Sequence, residues 1–323
     1  MPTITYREAI RQALRSELKR NPELILLGED IGAYGGSYAV TKGFLEEFGE
    51  ERVIDTPIVE SSLVGLSIGA AMAGMRPVVE LMTINFALKA IDQIVNNAAK
   101  IRFMFGGQFS APLVIRAVSG WGQLGPTHSQ SFENYFAYVP GLVVAMPSSP
   151  ADAKGLLLSA MRGKDPVLFI EHALLYNTRG DVPEGEEGIP LGLSDIKRRG
   201  KDVSVVAYSR MVLLALQAAQ HLSKEGVEVE VVDLRSLRPL DLALAVSSLQ
   251  KTGRALVLSE AWPSCSLASE VAARLQNEAF DYLDAPVMRL ASKDVPMAYA
   301  RNLEAAALPK VEDIVGAVRA LLS

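Results

Sequence analysis

Short β-rich apolar runs recur along this chain with helical patterns between them, and that alternation narrows the fold more than any other feature. Such a pattern builds a mainly parallel sheet with helices on both faces. Residues 24–28, 77–81, 112–116, 142–146 and 167–171 read as strands, with helices expected over 6–20, 62–74, 86–104 and 150–162. The last opens on Ser149-Pro150-Ala151-Asp152: a capping serine, a proline at the first helical position and an acid in the first turn. Apolar density then falls between 177 and 200, as in an interdomain linker. A second alternation follows, with strands near 203–207, 227–232, 255–260 and 287–290 and helices near 209–223, 241–251, 266–279 and 311–322. The 323 residues suffice for two cored domains, expected over 1–180 and 201–323 with a linker at 181–200.

The balance of 32 basic against 37 acidic residues gives no reason to expect nucleic acid or an anionic membrane as partner. The longest apolar run, 63–75, is broken by Gly65, Gly69 and Gly74 and is too short for a membrane span. Cys265 is the lone cysteine, so no disulfide framework exists, and it reads as a small buried residue of a cytosolic protein. No targeting segment is visible at the start, which points to the cytoplasm. The G-x-G-x-x-G at Gly120 to Gly125 runs into Pro126 and a polar loop rather than opening a helix, and no G-x-x-x-x-G-K-[ST] loop occurs, so any nucleotide-like cofactor needs its phosphates held by other means.

Three stretches near predicted strand ends carry polar chemistry, where open α/β sheets bind ligands. Glu60 stands in Asp55-Thr56-Pro57-Ile58-Val59-Glu60-Ser61-Ser62, at the mouth of an almost wholly apolar helix. A carboxyl there is either satisfied by backbone amides and the helix dipole or desolvated and fit to pass a proton near neutral pH. Glu80-Leu81-Met82-Thr83-Ile84-Asn85-Phe86 delivers Met82 and Phe86 into a turn. Gly122-Gln123-Leu124-Gly125-Pro126-Thr127-His128-Ser129-Gln130-Ser131 is a loop carrying one of three histidines, a suitable place for a proton donor. Of the other two, His172 reads as a structural hydrogen-bonding residue and His221 as surface.

Taken in order, Gly28-Glu29-Asp30, Tyr34-Gly35-Gly36, Asp55 through Glu60, Gly69 through Pro77, Asp92-Gln93-Ile94-Val95-Asn96, His128-Ser129-Gln130-Ser131, Asp233 through Pro239 and Asp294-Val295-Pro296 form an ordered series of motifs. With these the chain resembles the β subunit of the thiamine-diphosphate-dependent 2-oxoacid dehydrogenases. The resemblance implies a transketolase-like α/β fold of two three-layer α/β/α domains, a pyrimidine-binding domain followed by a transketolase C-terminal domain. It implies a cofactor at a subunit interface, with Mg²⁺ and the diphosphate held by an α subunit through a Gly-Asp-Gly motif that this chain lacks.

On the same resemblance, Glu60 maps onto the carboxyl that drives the aminopyrimidine to its imino form. Phe86 maps onto the ring that stacks on it, with Met82 and Ile58 as apolar wall. His128 maps onto the histidine that assists reductive acylation of a lipoyl group, with Ser129 and Gln130 orienting its loop. A K⁺ bound by main-chain oxygens maps onto Leu113 and onto Ala160, Met161, Gly163 and Asp165. The implied activity is oxidative decarboxylation of a 2-oxoacid, pyruvate first, within an α₂β₂ tetramer that passes the acyl group to the lipoyl domain of a dihydrolipoyl acyltransferase. Branched-chain 2-oxoacid and acetoin dehydrogenases, a split transketolase and a non-catalytic docking subunit are the alternatives. The chain departs from the family at Ala117-Val118-Ser119-Gly120-Trp121 and at Pro126-Thr127, which flank the histidine.

Overall fold

A computed structural model describes residues 1–120 and 122–323, so Trp121 lies outside the described residues. The chain divides into two compact units, Met1–Ser119 with Tyr135–Leu191, and Gly120–Asn134 with Gly192–Ser323. The histidine loop therefore groups with the second unit.

The first unit contains β1 (Thr3–Thr5), β2 (Leu24–Gly28), β3 (Val53–Asp55), β4 (Arg76–Leu81), β5 (Val114–Ser119), β6 (Val143–Ala145), β7 (Val167–His172) and β8 (Arg179–Asp181). Its parallel strands run in the order β6-β7-β5-β4-β2-β3, while β1 and β8 form a separate antiparallel pair. Strand β2 is buried along its whole length, as a strand covered on both faces must be. Helix Tyr6–Arg20 starts on Thr5, whose hydroxyl accepts from the Glu8 amide, and it packs on helix Pro150–Arg162. That second helix is capped by Ser149, as the sequence pattern requires. The chain passes from β2 to β3 on one side and then returns to place β4 on the other side of β2. This reversal opens a crevice at the carboxyl ends of β2 and β4, the position where open sheets bind ligands.

The second unit holds β9 (Asp195–Arg198), β10 (Val203–Ala207), β11 (Val229–Asp233), the short β12 (Ser236–Arg238), β13 (Ala255–Leu258) and β14 (Met288–Leu290). Its sheet runs β14-β13-β10-β11-β9, with β9 antiparallel to β11. Residues 181–200, expected as a linker, thus carry an edge strand of this sheet. Val203, Val205, Val231, Leu256 and Leu258 share one core with helices Arg210–Ser223 and Val311–Leu322. Ser204, pointing the other way by strand alternation, bonds Ser248 at 2.5 Å and Thr252 at 2.8 Å on helix Ala243–Thr252, which fixes helices to both faces. Here too the chain reverses, from β11 back across β10 to β13, and opens a crevice at the ends of β10 and β13.

Two expectations need correction. The helix expected over 86–104 is broken into a 3-10 turn, Ile84–Ala90, a π turn, Gln93–Ala98, and a short α-helix, Ile101–Met104. Cys265 is exposed rather than buried, because a left-handed backbone turn (φ 52°) lifts it clear ahead of helix Leu267–Glu278.

Across β4, β5 and β7 the first sheet holds a buried ionic cluster. Arg116 donates to Glu171 through Nε at 2.6 Å and through a second nitrogen at 3.0 Å, and it also bonds Glu80. The Tyr176 hydroxyl donates to Glu171 at 2.6 Å. Burial alone would neutralise Glu80, and the guanidinium is what opposes it. Replacing Arg116 by alanine strands two carboxyls in the sheet, so a loss of about 3–5 kcal/mol is expected from denaturant unfolding; a loss under about 1 kcal/mol, the range of an exposed pair, would show that the cluster is wet.

Candidate active site

Each element around the first crevice contributes one feature. Strand β3 leads through Pro57-Ile58-Val59 into helix Glu60–Met72, and Glu60 is its first residue. The capping position is held by Val59, which offers no side-chain acceptor, so Glu60 is the acid that meets the positive end of the helix. The glutamate is 3% exposed, its Oε1 has no hydrogen-bond partner among the described residues, and its Oε2 lies 3.8 Å from Lys89 Nζ. Beside it Ile58 and Val59 are 67% and 49% exposed. A buried, incompletely satisfied carboxyl next to exposed apolar side chains is the reverse of ordinary packing and marks a place where something else binds.

Strand β4 ends at Leu81, after which half-buried Met82 leads into the turn that carries Phe86. In a 3-10 turn residues three apart eclipse one another, and Lys89 accordingly stands over the Phe86 ring, 5.6 Å from its centroid. Lys89 therefore ties Glu60 to Phe86. The break in the expected helix is what aligns them.

Strand β2 supplies a residue that sequence reasoning passed over. Glu29 follows its last residue, is 3% exposed, and neither carboxyl oxygen has a hydrogen-bond partner among the described residues. Burial pushes its pKa up, the Glu60 charge pushes it further, and Lys89 opposes both. The signal in the sequence was an acid directly after a wholly apolar strand. The buried Glu29 carboxyl thus stands near Glu60 with its charged form disfavoured and Lys89 as the opposing charge.

His128 belongs to the second unit, where the Thr127 hydroxyl sits 2.9 Å from its Nδ1. A hydroxyl can donate to a neutral ring and accept from a protonated one, so this contact serves both charge states. Gln130 donates to the Thr127 carbonyl at 3.2 Å, and the Ser129 hydroxyl is buried with no partner among the described residues. Gly125 is required in this loop: it has φ +76°, and a Cβ there would come within 2.2 Å of the Tyr299 ring. His172 is fully buried and its Nδ1 accepts from the Leu174 amide at 3.1 Å, and His221 is exposed.

The positions mapped onto K⁺ are already engaged. The Leu113 carbonyl accepts from the Val167 amide at 3.0 Å and the Ala160 carbonyl from the Gly163 amide at 3.3 Å. The Gly163 carbonyl accepts from the Arg76 guanidinium, and Asp165 pairs with Arg102. Met161 is buried in its helix. Among these positions Gly163 has a cationic donor on its main-chain oxygen, the Leu113 and Ala160 carbonyls each keep a second lone pair, and Asp165 is paired through its side chain.

Residues 2–179 match the transketolase pyrimidine-binding domain and residues 192–314 the transketolase C-terminal domain. A solved split-gene transketolase, described as an inactive β4 tetramer, superposes with a TM-score of 0.79 over 99% of this chain and 98% of that one, at 24% identity. Together these define a transketolase-type α/β protein. The chain is 46% identical to the pyruvate dehydrogenase E1 component subunit beta of Rhizobium meliloti, over 99% of this chain and 70% of the relative. It is 47% identical to the subunit beta-2 of Oryza sativa (98% and 85%) and 45% identical to the subunit of Rickettsia bellii (98% and 98%). The chain belongs to the family of pyruvate dehydrogenase E1 component β subunits.

A raised carboxyl pKa stabilises the fold fully below the unfolded value and loses that contribution as pH rises through the folded value. Glu29→Gln is therefore expected to raise the melting temperature at pH 8, with the gain vanishing toward pH 4. A thermal series across that range checks it, and a gain that grows on acidification would contradict the reading of Glu29.

Proposed function

We propose that this chain is the β subunit of a pyruvate dehydrogenase (acetyl-transferring), which decarboxylates pyruvate oxidatively with thiamine diphosphate and acetylates the lipoyl groups of a dihydrolipoyl acetyltransferase. The observation that carries the reading is Glu60, a buried carboxyl with an unpaired oxygen at the switch-point crevice, flanked by exposed apolar Ile58 and by Phe86. An aminopyrimidine fits that set: it offers a ring nitrogen to the carboxyl and flat faces to the apolar side chains. When bound, thiamine diphosphate would supply a nucleophilic carbon and an electron sink for decarboxylation of a 2-oxoacid.

Glu60 would hold and return a proton at the pyrimidine N1' atom. Phe86 would take one ring face once Lys89 swings aside, and Met82 with Ile58 would exclude water from the ring edge. His128 would donate a proton to the lipoyl sulfur, with Thr127 following the ring through its charge change. Residues 1–180 would form the pyrimidine-binding domain and 201–323 the C-terminal domain.

The lack of a Gly-Asp-Gly motif supports an α partner that brings Mg²⁺ and the diphosphate cradle, in an α₂β₂ tetramer. The Arg76 guanidinium would take the place of K⁺ at Gly163. The lone exposed Cys265 suits a reducing compartment such as the cytoplasm.

The test is pyruvate-dependent reduction of an artificial electron acceptor by the chain co-purified with its α partner, cofactor and Mg²⁺, with 3-methyl-2-oxobutanoate in parallel. Turnover of pyruvate is expected. Glu60→Gln should lower kcat by about 10²–10⁴-fold with the tetramer intact; full activity in that variant would overturn the assignment. His128→Ala should leave the acceptor assay unchanged and impair acetyl transfer to lipoyl. Equal loss in both assays would place the histidine at an earlier step.

A further inference from the structure

The second crevice is occupied by the chain itself. At the ends of β10 and β13 stand Tyr208 and Ser259, and the Tyr208 hydroxyl lies 2.9 Å from Ser259 Oγ and 2.9 Å from Glu133 Oε1. Glu133 is 1% exposed, and its Oε2 has no hydrogen-bond partner among the described residues. The next residue, Asn134, accepts from the Leu267 amide at 2.8 Å and so holds the start of helix Leu267–Glu278. Phe132 lies against Trp262, with ring centroids 6.4 Å apart. Three consecutive residues, six positions or fewer after His128, are thus seated on the strand and helix ends of the second unit. The far side of the same loop is held by Glu304, which accepts from the Gln123 amide at 2.9 Å, and by Tyr299 under Gly125.

We propose that Glu133 is the positioning residue by which the second unit holds the His128 loop, and that the hold loosens when the Glu133 carboxyl ionises. The groups facing it admit a neutral carboxyl better than a charged one. Its own backbone amide and Tyr208 act as donors to it; Glu260, just past the end of β13, bears a like charge; and Arg210, at the start of helix Arg210–Ser223, pairs with Glu260 at 2.6 Å. An unpaired oxygen in a dry site is tolerable on a neutral acid and costly on a carboxylate. Burial raises the Glu133 pKa to about 7, with hydrogen bonds from its own backbone amide and from Tyr208 pulling down and the Glu260 charge pushing up. Since the seated pKa lies above the free value, seating is fully supported below the free value and fades as pH rises through about 7. The consequence for acyl transfer rests on the role proposed for His128; the anchor itself does not.

Hydrogen exchange of the full-length chain over 122–131, corrected for intrinsic rates, tests the anchor without any assay of activity. Protection in the unaltered chain is expected to fall progressively between about pH 5 and pH 7, by up to about tenfold per pH unit, and to level off above the seated value. Glu133→Gln should abolish that fall. Tyr208→Phe removes the donor to the ionised form and should move the fall to higher pH, a shift that a simple loss of packing would not produce. A pH-independent loop in the unaltered chain, or an unchanged fall in Glu133→Gln, would overturn the proposal. Failure of the His128→Ala acyl-transfer test with the exchange result intact would overturn only the functional reading.

Discussion

Desolvation of carboxyl groups at the ends of parallel strands is the interaction on which the chemistry of both units depends. A sheet covered on both faces leaves its polar side chains few exits, and the carboxyl ends of the strands are the main one. Glu29, Glu60 and Glu133 all follow that geometry, and each has an oxygen without a partner. Elsewhere the same sheet shows what a carboxyl costs when it must be charged in the interior. Glu171 is buried in β7 and Glu80 half-buried in β4, and there a full guanidinium with a tyrosine hydroxyl surrounds them. The contrast between the satisfied cluster and the unsatisfied strand-end acids distinguishes scaffold from site.

Much of the fold was legible because its signals are local. Strand 24–28, helix 6–20 and helix 150–162 lie where the periodicity and the capping residues Thr5 and Ser149 put them. What was not legible depends on pairing. Strand β3 has three residues, and β9 lies in a polar stretch, so each becomes a strand only through its neighbour. The division of 86–104 into 3-10, π and α turns also escapes a periodicity argument, because an apolar pattern does not separate 3.0 from 3.6 residues per turn over so short a span.

The site divides in the same way. Glu60 and Phe86 stood out in the sequence by type and position, and Lys89 links them in space. Glu29 was visible as an acid after a strand, yet its meaning depends on the return of the chain across β2, a property of strand order that no local pattern contains. Glu133 was not singled out in the sequence and is the first residue of the short helix Glu133–Ala137. Its burial is decided by Tyr208, 75 positions away.

Both units apply one topological rule to different ends. In each, the chain reverses around a central strand and opens a crevice where side chains from two strand ends converge. The first crevice keeps its acids short of partners, and a carboxyl in that condition gains from any ligand that brings a nitrogen donor and displaces no existing bond. The second is filled by residues 132–134 of the same chain, so its binding capacity is spent on holding a loop. A loop held by a buried neutral acid differs from one held by an ion pair: its seating depends on proton activity and hardly on salt. The histidine it carries is therefore positioned by a contact whose strength changes around neutral pH, while the carboxyls of the first crevice answer to their own helix and lysine.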